Sequence, residues 1–315
     1  LDVTATKNGE PWDGWAEYVT FVSENPELLA IDGTTVTVSG TGTVTLTANY
    51  SYEGVTRSAN VTIELWSQLI DSEEEYTALG NSTAQWSGRY LLTADLDFSE
   101  GYTLGTDAGV DLTGTLDGGG HSITATFATG ADNNTGLFRW IIGGTVKNLS
   151  LTATYGTLQA SRIGALAIVA QNAVTVENCY IRTNYTEVFD GETTGITGVF
   201  GSVATSNSAR SIAIKDTIVA VSAPAEEDDV FGLNSSSTWL TLYSLQNVLV
   251  YTSGENVEAI GTSADGTLQA TNYEAFTGGL DSETSEAART ALLAKAEEFG
   301  LSSFVQDAFE SSALV

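Results

Sequence analysis

The hydrophobic pattern divides this chain into three stretches. Over residues 1–65, short apolar–polar alternations are broken by turn signals. Tyr18-Val19-Thr20-Phe21-Val22 is the first, and Leu28-Leu29-Ala30-Ile31 leads to Asp32-Gly33. Thr35-Val36-Thr37-Val38 runs to Gly40-Thr41-Gly42, and Val44–Tyr50 and Ser58–Leu65 complete the set. Period-2 runs between closely spaced turns predict short antiparallel strands in a small sandwich.

From residue 66 to 280 the pattern becomes a repeat. An apolar residue, any residue, Asn or Asp, and then alternating apolars recur in four segments. These are Val146-Lys147-Asn148-Leu149-Ser150-Leu151, Val176-Glu177-Asn178-Cys179-Tyr180-Ile181, Ile214-Lys215-Asp216-Thr217-Ile218-Val219 and Leu245-Gln246-Asn247-Val248-Leu249-Val250. The Asn/Asp positions lie 30, 38 and 31 residues apart. A glycine-bearing apolar run precedes each: Gly136-Leu137-Phe138, Gly164-Ala165-Leu166, Gly198-Val199-Phe200-Gly201 and Val230-Phe231-Gly232. A period of this size, with two strand signals per copy, predicts a solenoid in which no copy buries its own inner face. Stacking copies about 4.8 Å apart buries a continuous core, and a right-handed parallel β-helix is the expected architecture. Val146, Val176, Ile214 and Leu245 then form one inward column. Leu149, Cys179, Thr217 and Val248 form a second, and Leu151, Ile181, Val219 and Val250 a third. Asn148, Asn178, Asp216 and Asn247 fall at a bend, where amides can bond to their stacked neighbours.

The ends carry helical signals. Ser72-Glu73-Glu74-Glu75 followed by Tyr76 and Leu79 reads as a capped short helix at the N-terminal end of the stack. Residues 282–299 place Ala288, Leu292, Ala296 and Phe299 on one helical face ahead of Gly300, and Ser302 or Ser303 begins a shorter helix. The expected organisation is all-β: a sandwich over 1–65, the stack over 66–280 and a helical cap over 281–315. The outward positions grow apolar along the repeat, from Ser150 and Thr152 to Tyr180 and Arg182, Ile218 and Ala220, and Leu249 and Tyr251. Such a face is covered in a soluble protein. Tyr180, Ile218, Leu249 and Tyr251 are therefore the candidate interface, for the C-terminal helix or for a neighbouring chain.

Two resemblances rest on these segments. The string from Ser23-Glu24-Asn25-Pro26-Glu27 through Asp32-Gly33 to Thr43-Val44-Thr45-Leu46-Thr47 resembles bacterial Ig-like domains of the group-2 type. Leu91–Phe98, Leu112–Ile123 with its Asp117-Gly118-Gly119-Gly120-His121 turn, Thr135-Gly136-Leu137-Phe138 and Gly143–Leu149 resemble the opening coils of GLUG-repeat β-helix proteins of bacterial and phage surfaces. The later coils depart from that pattern, since their ends lack its usual Asn-Ser-Tyr character. The resemblances imply an exposed spacer or adhesive protein and transfer no catalytic residue.

Composition narrows the partners. Eleven Lys+Arg against 40 Asp+Glu give a net charge of −29. Phosphate backbones and anionic membrane surfaces repel such a chain, so nucleic acid is excluded as a general partner. No apolar run is long enough to span a bilayer. Only 16% of residues are charged, so Ser, Thr, Asn and Gly must supply much of the surface. The chain begins at Leu1 and contains no Met, which suggests a processed form or a fragment. A cleaved signal peptide would leave no trace.

Chemistry-bearing residues are few. One Cys excludes an internal disulfide, and one His excludes a His-based metal cage. His121 sits in a glycine turn with no Ser or Cys motif to make a triad, and Cys179 lies in an inward column. Glu226, Glu227, Asp228 and Asp229 form a charge run that lacks the ordered ligand spacing of a calcium loop; calcium there is the single cofactor candidate. Trp12 and Trp15 read either as a cover for the sandwich end or as a sugar-stacking pair. The expected function is non-enzymatic: an extracellular structural or adhesive protein of a bacterial cell surface, contacting glycans or neighbouring proteins and open to homo-oligomerisation. A virion decoration or fibre protein is one alternative. A polysaccharide-cleaving enzyme with carboxylates in a flank groove is the other.

Overall fold

The computed structural model describes residues 6–33, 35–80, 86–104, 111–127, 135–156, 163–185, 198–203, 210–222, 228–229, 231, 233–234, 241–252, 257–258, 266–278 and 282–312. The protein is mostly β, with three α-helices among these residues. It divides into two compact units, Leu1–Gln68 and Leu69–Val315.

The first unit is built from antiparallel strands. Val19–Ser23, Gly42–Tyr52 and Val55–Leu65 form a three-stranded sheet, and Leu29–Asp32 pairs with Thr35–Val38. Glu53 and Gly54, with φ of 48° and 78°, make the two-residue turn that joins the longest strands. Positive φ at both central residues matches the right-handed twist of a hairpin. Val44, Leu46 and Leu65 from the sheet and Leu29 from the small pair form a compact core.

The second unit is dominated by a 12-stranded sheet in which all recorded pairings are parallel. The chain advances as seven successive rungs among the described residues. They begin at Arg89–Leu92, Thr115–Asp117, Thr145–Lys147, Ala173–Glu177, Arg210–Ser222, Thr241–Thr252 and Gly266–Thr277. In the earlier rungs a second strand follows after a bend: Leu96–Tyr102, Ser122–Phe127, Ser150–Tyr155 and Tyr180–Tyr185. In the last three a single bent strand serves both sides. A further five-stranded parallel sheet runs through Asp111–Leu112, Phe138–Ile142, Ala167–Gln171, Phe200–Val203 and Leu233–Asn234.

Register follows the repeat. Val146 pairs with Val176, Val176 with Ile214, and Ile214 with Leu245. Leu151, Ile181, Val219 and Val250 stack likewise. All eight are buried in one continuous core. At the far end of the second strands, Phe127, Tyr155 and Tyr185 stack at 4.5 and 5.4 Å with interplanar angles of 10° and 20°.

The bend explains why Asn and Asp recur. Asn148, Asn178, Asp216, Asn247 and Asn272 all have φ between 48° and 58°. That left-handed conformation costs most side chains about 1–2 kcal/mol, and Asn and Asp tolerate it best after Gly. The side chains then bond along the stack. Asn148 Nδ2 donates to Asp117 Oδ1 and Asn178 Nδ2 to Asn148 Oδ1, each at 2.8 Å. Asn247 Nδ2 donates to Asp216 Oδ1 at 2.7 Å, and Asn272 Nδ2 to Asn247 Oδ1 at 2.8 Å. Each run ends on a carboxylate, which accepts but has no proton to pass on. Lys147 Nζ lies 3.0 Å from the buried Asp117 carboxylate. Gly118 sits where a Cβ would come within 2.3 Å of the Asn148 carbonyl oxygen.

Helix α1 (Glu73–Gly80) packs against the first rung, with Tyr76 fully buried among Trp86, Phe98 and Tyr102. Its capping box reaches one residue further back than the motif implies. Glu75 N–H donates to Ser72 Oγ, but Glu75 Oε2 accepts from the Asp71 N–H. Helices α2 (Ser282–Phe299) and α3 (Ser303–Ser311) lie along the flank of the later rungs rather than across their end.

Candidate functional site

The first unit gathers six aromatic rings outside its core. Tyr50 and Tyr52 alternate on the same face of the central strand as Val44 and Leu46, so they continue the core face toward the hairpin turn. A 3-10 turn at Asp13–Glu17 folds the preceding segment onto this end. Trp12 stacks on Tyr18 at 5.5 Å and 17°, and meets Tyr50 edge-on at 6.4 Å. Tyr18 meets Tyr52 at 4.8 Å and 86°, and Trp15 meets Phe21 at 6.1 Å. Every one of these rings is half-buried. Each therefore keeps part of its surface accessible to solvent, where an aromatic side chain can meet an external apolar surface.

The neighbouring strand leaves this face uncovered. Arg57 pairs with Tyr50, Ala59 with Ala48 and Val61 with Leu46. All three are exposed, and Val61 is 54% accessible. Arg57 and Lys7 are the only two cations in residues 1–68. Glu53 hydrogen-bonds the Tyr52 phenol, and its charge joins that bond in raising the phenol above its ordinary pKa. The strip thus combines aromatic faces, exposed aliphatic positions and polar groups at its rim. The sequence singled out Trp12 and Trp15 but not Tyr18, Tyr50, Tyr52 or Arg57. The signal lay in the period-2 placement of Tyr50 and Tyr52 ahead of the Glu53-Gly54 turn.

In the second unit, Tyr180, Ile218, Leu249 and Tyr251 are all buried, and the chain's own C-terminal helices cover them. Leu292 and Ala296 of α2, Leu301, and Val305 and Phe309 of α3 complete that cluster. Tyr180 Oη donates to Ser312 Oγ at 2.9 Å, and Tyr251 Oη shares a 2.7 Å hydrogen bond with Ser285 Oγ. Burial pushes the Tyr180 phenol above its ordinary pKa. Arg289 lies 4.9 Å over the Phe309 ring and donates to the carbonyls of Phe309, Glu310 and Ser312, closing the C-terminal turn of α3.

Ser302 joins this cover to the bend ladder. Its Oγ accepts from the Val305 N–H as the N-cap of α3 and donates to Asn178 Oδ1 at 2.5 Å. Asn178 needs that donor, because the next residue in the ladder is the carboxylate of Asp216.

The remaining candidates are dispersed. Glu226 and Glu227 lie outside the described residues, while Asp228–Asp229 pair in parallel with Val257–Glu258. Among the described residues no three His, Cys, Asp or Glu side chains come together as a metal site. His121 Nδ1 lies 3.4 Å from Asp95, whose carboxyl is held below its ordinary pKa mainly by the Ser122 N–H. Cys179 is fully buried, and burial pushes its thiol up to about 12, so it carries no thiolate at neutral pH. Asp111 is 5% exposed and forms a two-pronged pair with Arg139 at 2.7 and 2.6 Å, a structural use of a buried carboxylate. A shallow depression over α1 is lined by Glu73, Glu74, Thr77, Ala78 and Phe98. No helix among the described residues is long and apolar enough to cross a membrane.

Comparison with protein-family models, with curated proteins and with solved structures finds no match to this chain.

Proposed function

We propose that the chain is a non-enzymatic, exposed structural and adhesive protein of a bacterial cell surface. In this reading an Ig-like module presents a glycan-binding strip and a right-handed parallel β-helix forms a rigid body. The parallel rungs, their in-register columns and the bend at a fixed position in each copy support the β-helix. Two antiparallel sheets around Leu29, Val44, Leu46 and Leu65 support the Ig-like module.

The observation that carries the functional reading is the row of half-buried rings at Trp12, Tyr18, Tyr50 and Tyr52 beside an open sheet face. Sugar rings present apolar C–H faces that stack on aromatics and hydroxyls that bond to a polar rim. The net charge of −29 disfavours polyanionic glycans, so the ligand class is neutral polysaccharide. Titration calorimetry after a neutral-glycan array tests this. Trp12→Ala and Tyr52→Ala are each expected to weaken binding about tenfold, or ~1.4 kcal/mol, with the melting temperature of the second unit unchanged. An array on which no neutral glycan binds, or variants that bind as tightly as the native chain, would remove the reading.

A further inference from the structure

The two ends of the stack differ. At the first rung α1 is packed in place, with Tyr76 fully buried. At the other end Gly266–Thr277 pairs with Thr241–Thr252, and no strand pairs with its outer edge among the described residues. The inner columns end there in the open. Leu268 continues the Tyr243 position and is 40% accessible; Ala270 and Ala275 are exposed and Tyr273 is half-buried. Asn272 donates down the ladder to Asn247, while its own Oδ1 has no donor among the described residues. The strand GTLQATNYEAFT contains no Lys, Arg or Pro, the residues that most often protect an edge. Its single charge, Glu274, lies 3.4 Å from Lys295 Nζ.

We propose that this edge pairs with the same edge of a second copy, antiparallel across a two-fold axis through the bend. The strand is self-complementary about the Thr271–Asn272 bond. Side chains that point into the core fall before the bend at Leu268 and Ala270, and after it at Tyr273 and Ala275. In a two-fold pairing that keeps all four inward, Leu268 of one copy faces Ala275 of the other and Ala270 faces Tyr273. Each large side chain then meets a small one. Gln269 faces Glu274, so the one acidic group meets an amide donor and not its own copy. Thr271 faces Asn272, offering a hydroxyl to the open Oδ1. This register uses the strand from Gly266 to Thr277 without remainder. Like charges never oppose one another, which matters in a chain of net charge −29. The contact is isologous and closed, so it yields dimers and not fibres.

Light scattering on the intact chain, with a cross-link, tests the pairing. The native protein is expected at twice its 33.0 kDa mass. Ala270→Lys is expected to return it to a monomer without changing the far-ultraviolet spectrum. Gln269→Cys with Glu274→Cys is expected to give a disulfide-linked dimer on mild oxidation. Cys179 is buried and contributes no background. A monomer at high protein concentration overturns the proposal. So does an assembly larger than a dimer, or a dimer that persists in Ala270→Lys and forms no cross-link.

Discussion

At the residue scale, the recurring Asn is a compromise between backbone and side chain. It tolerates φ near 50° at each bend and donates one hydrogen bond to the preceding rung. Asp216 keeps that backbone but ends its run, as Asp117 ends the other from the strand position just before the bend, which leaves a gap between Asp216 and Asn178 that Ser302 fills from α3. A double-mutant cycle can isolate this arrangement. Ser302→Ala should cost about 1–3 kcal/mol, from the lost cap and the orphaned amide oxygen. In an Asp216→Asn background the new amide can donate to Asn178, so the same change should cost about 1 kcal/mol less. Chemical denaturation of the four proteins measures the difference, and strict additivity would refute it. The bend positions were legible in the sequence because Asn or Asp stood at one place in each of the four repeated segments. Ser302 was not, because its partner lies 124 residues away.

At the scale of elements, legibility tracked how local each signal is. The predicted 282–299 helix is observed as Ser282–Phe299, and Ser302 caps the shorter one. The inward columns followed from period 2 and a common bend, so Val146, Val176, Ile214 and Leu245 fell into register. The face at Tyr180, Ile218, Leu249 and Tyr251 was visibly apolar in sequence, but periodicity does not say which element covers it. The stack of Phe127, Tyr155 and Tyr185 was missed because these rings lie at the far end of the second strands, beyond the recurring motif that ends at Leu151 and Ile181. The aromatic strip of the first unit was half visible, since its parts come from a turn and two strands that meet only in the fold. Leu249 and Ile218 are fully buried beneath α2 and α3. Leu249→Ser or Ile218→Ser should cost about 2–5 kcal/mol, as lost apolar burial and an unpaired hydroxyl add together. Hydrogen exchange should then rise first across residues 282–312. Protection that stays native there would show that the helices are held by other means.

At the scale of the whole molecule, self-repulsion opposes compactness. With 40 carboxylates against 11 cations, added salt should raise the melting temperature at pH 7 by screening exposed charge. Acid acts in the opposite sense on particular groups. Asp95 and Asp97 titrate below their ordinary range in the fold, chiefly through hydrogen bonds from Ser122 and Ser99. Their contribution is complete above the unfolded pKa, about 4, and is lost as pH falls through the lower folded values. A calorimetric series in salt at neutral pH, followed by a descent below pH ~4, should show both limbs. A melting temperature that ignores or falls with salt would place the dominant electrostatics in native ion pairs such as Lys147–Asp117.

The cover formed by α2 and α3 also has a mechanical consequence. Rungs stacked by parallel pairing can peel one at a time when tension is applied at the last of them. Here Tyr180, on the rung beginning at Ala173, is bonded to Ser312. Tyr251, on the rung beginning at Thr241, is bonded to Ser285, and Lys295 reaches Glu274 on the final rung. The helices therefore act as a clasp over several rungs. A pull that would otherwise unzip them singly must first tear away the whole clasp, so extension should occur as one abrupt event and not as a staircase.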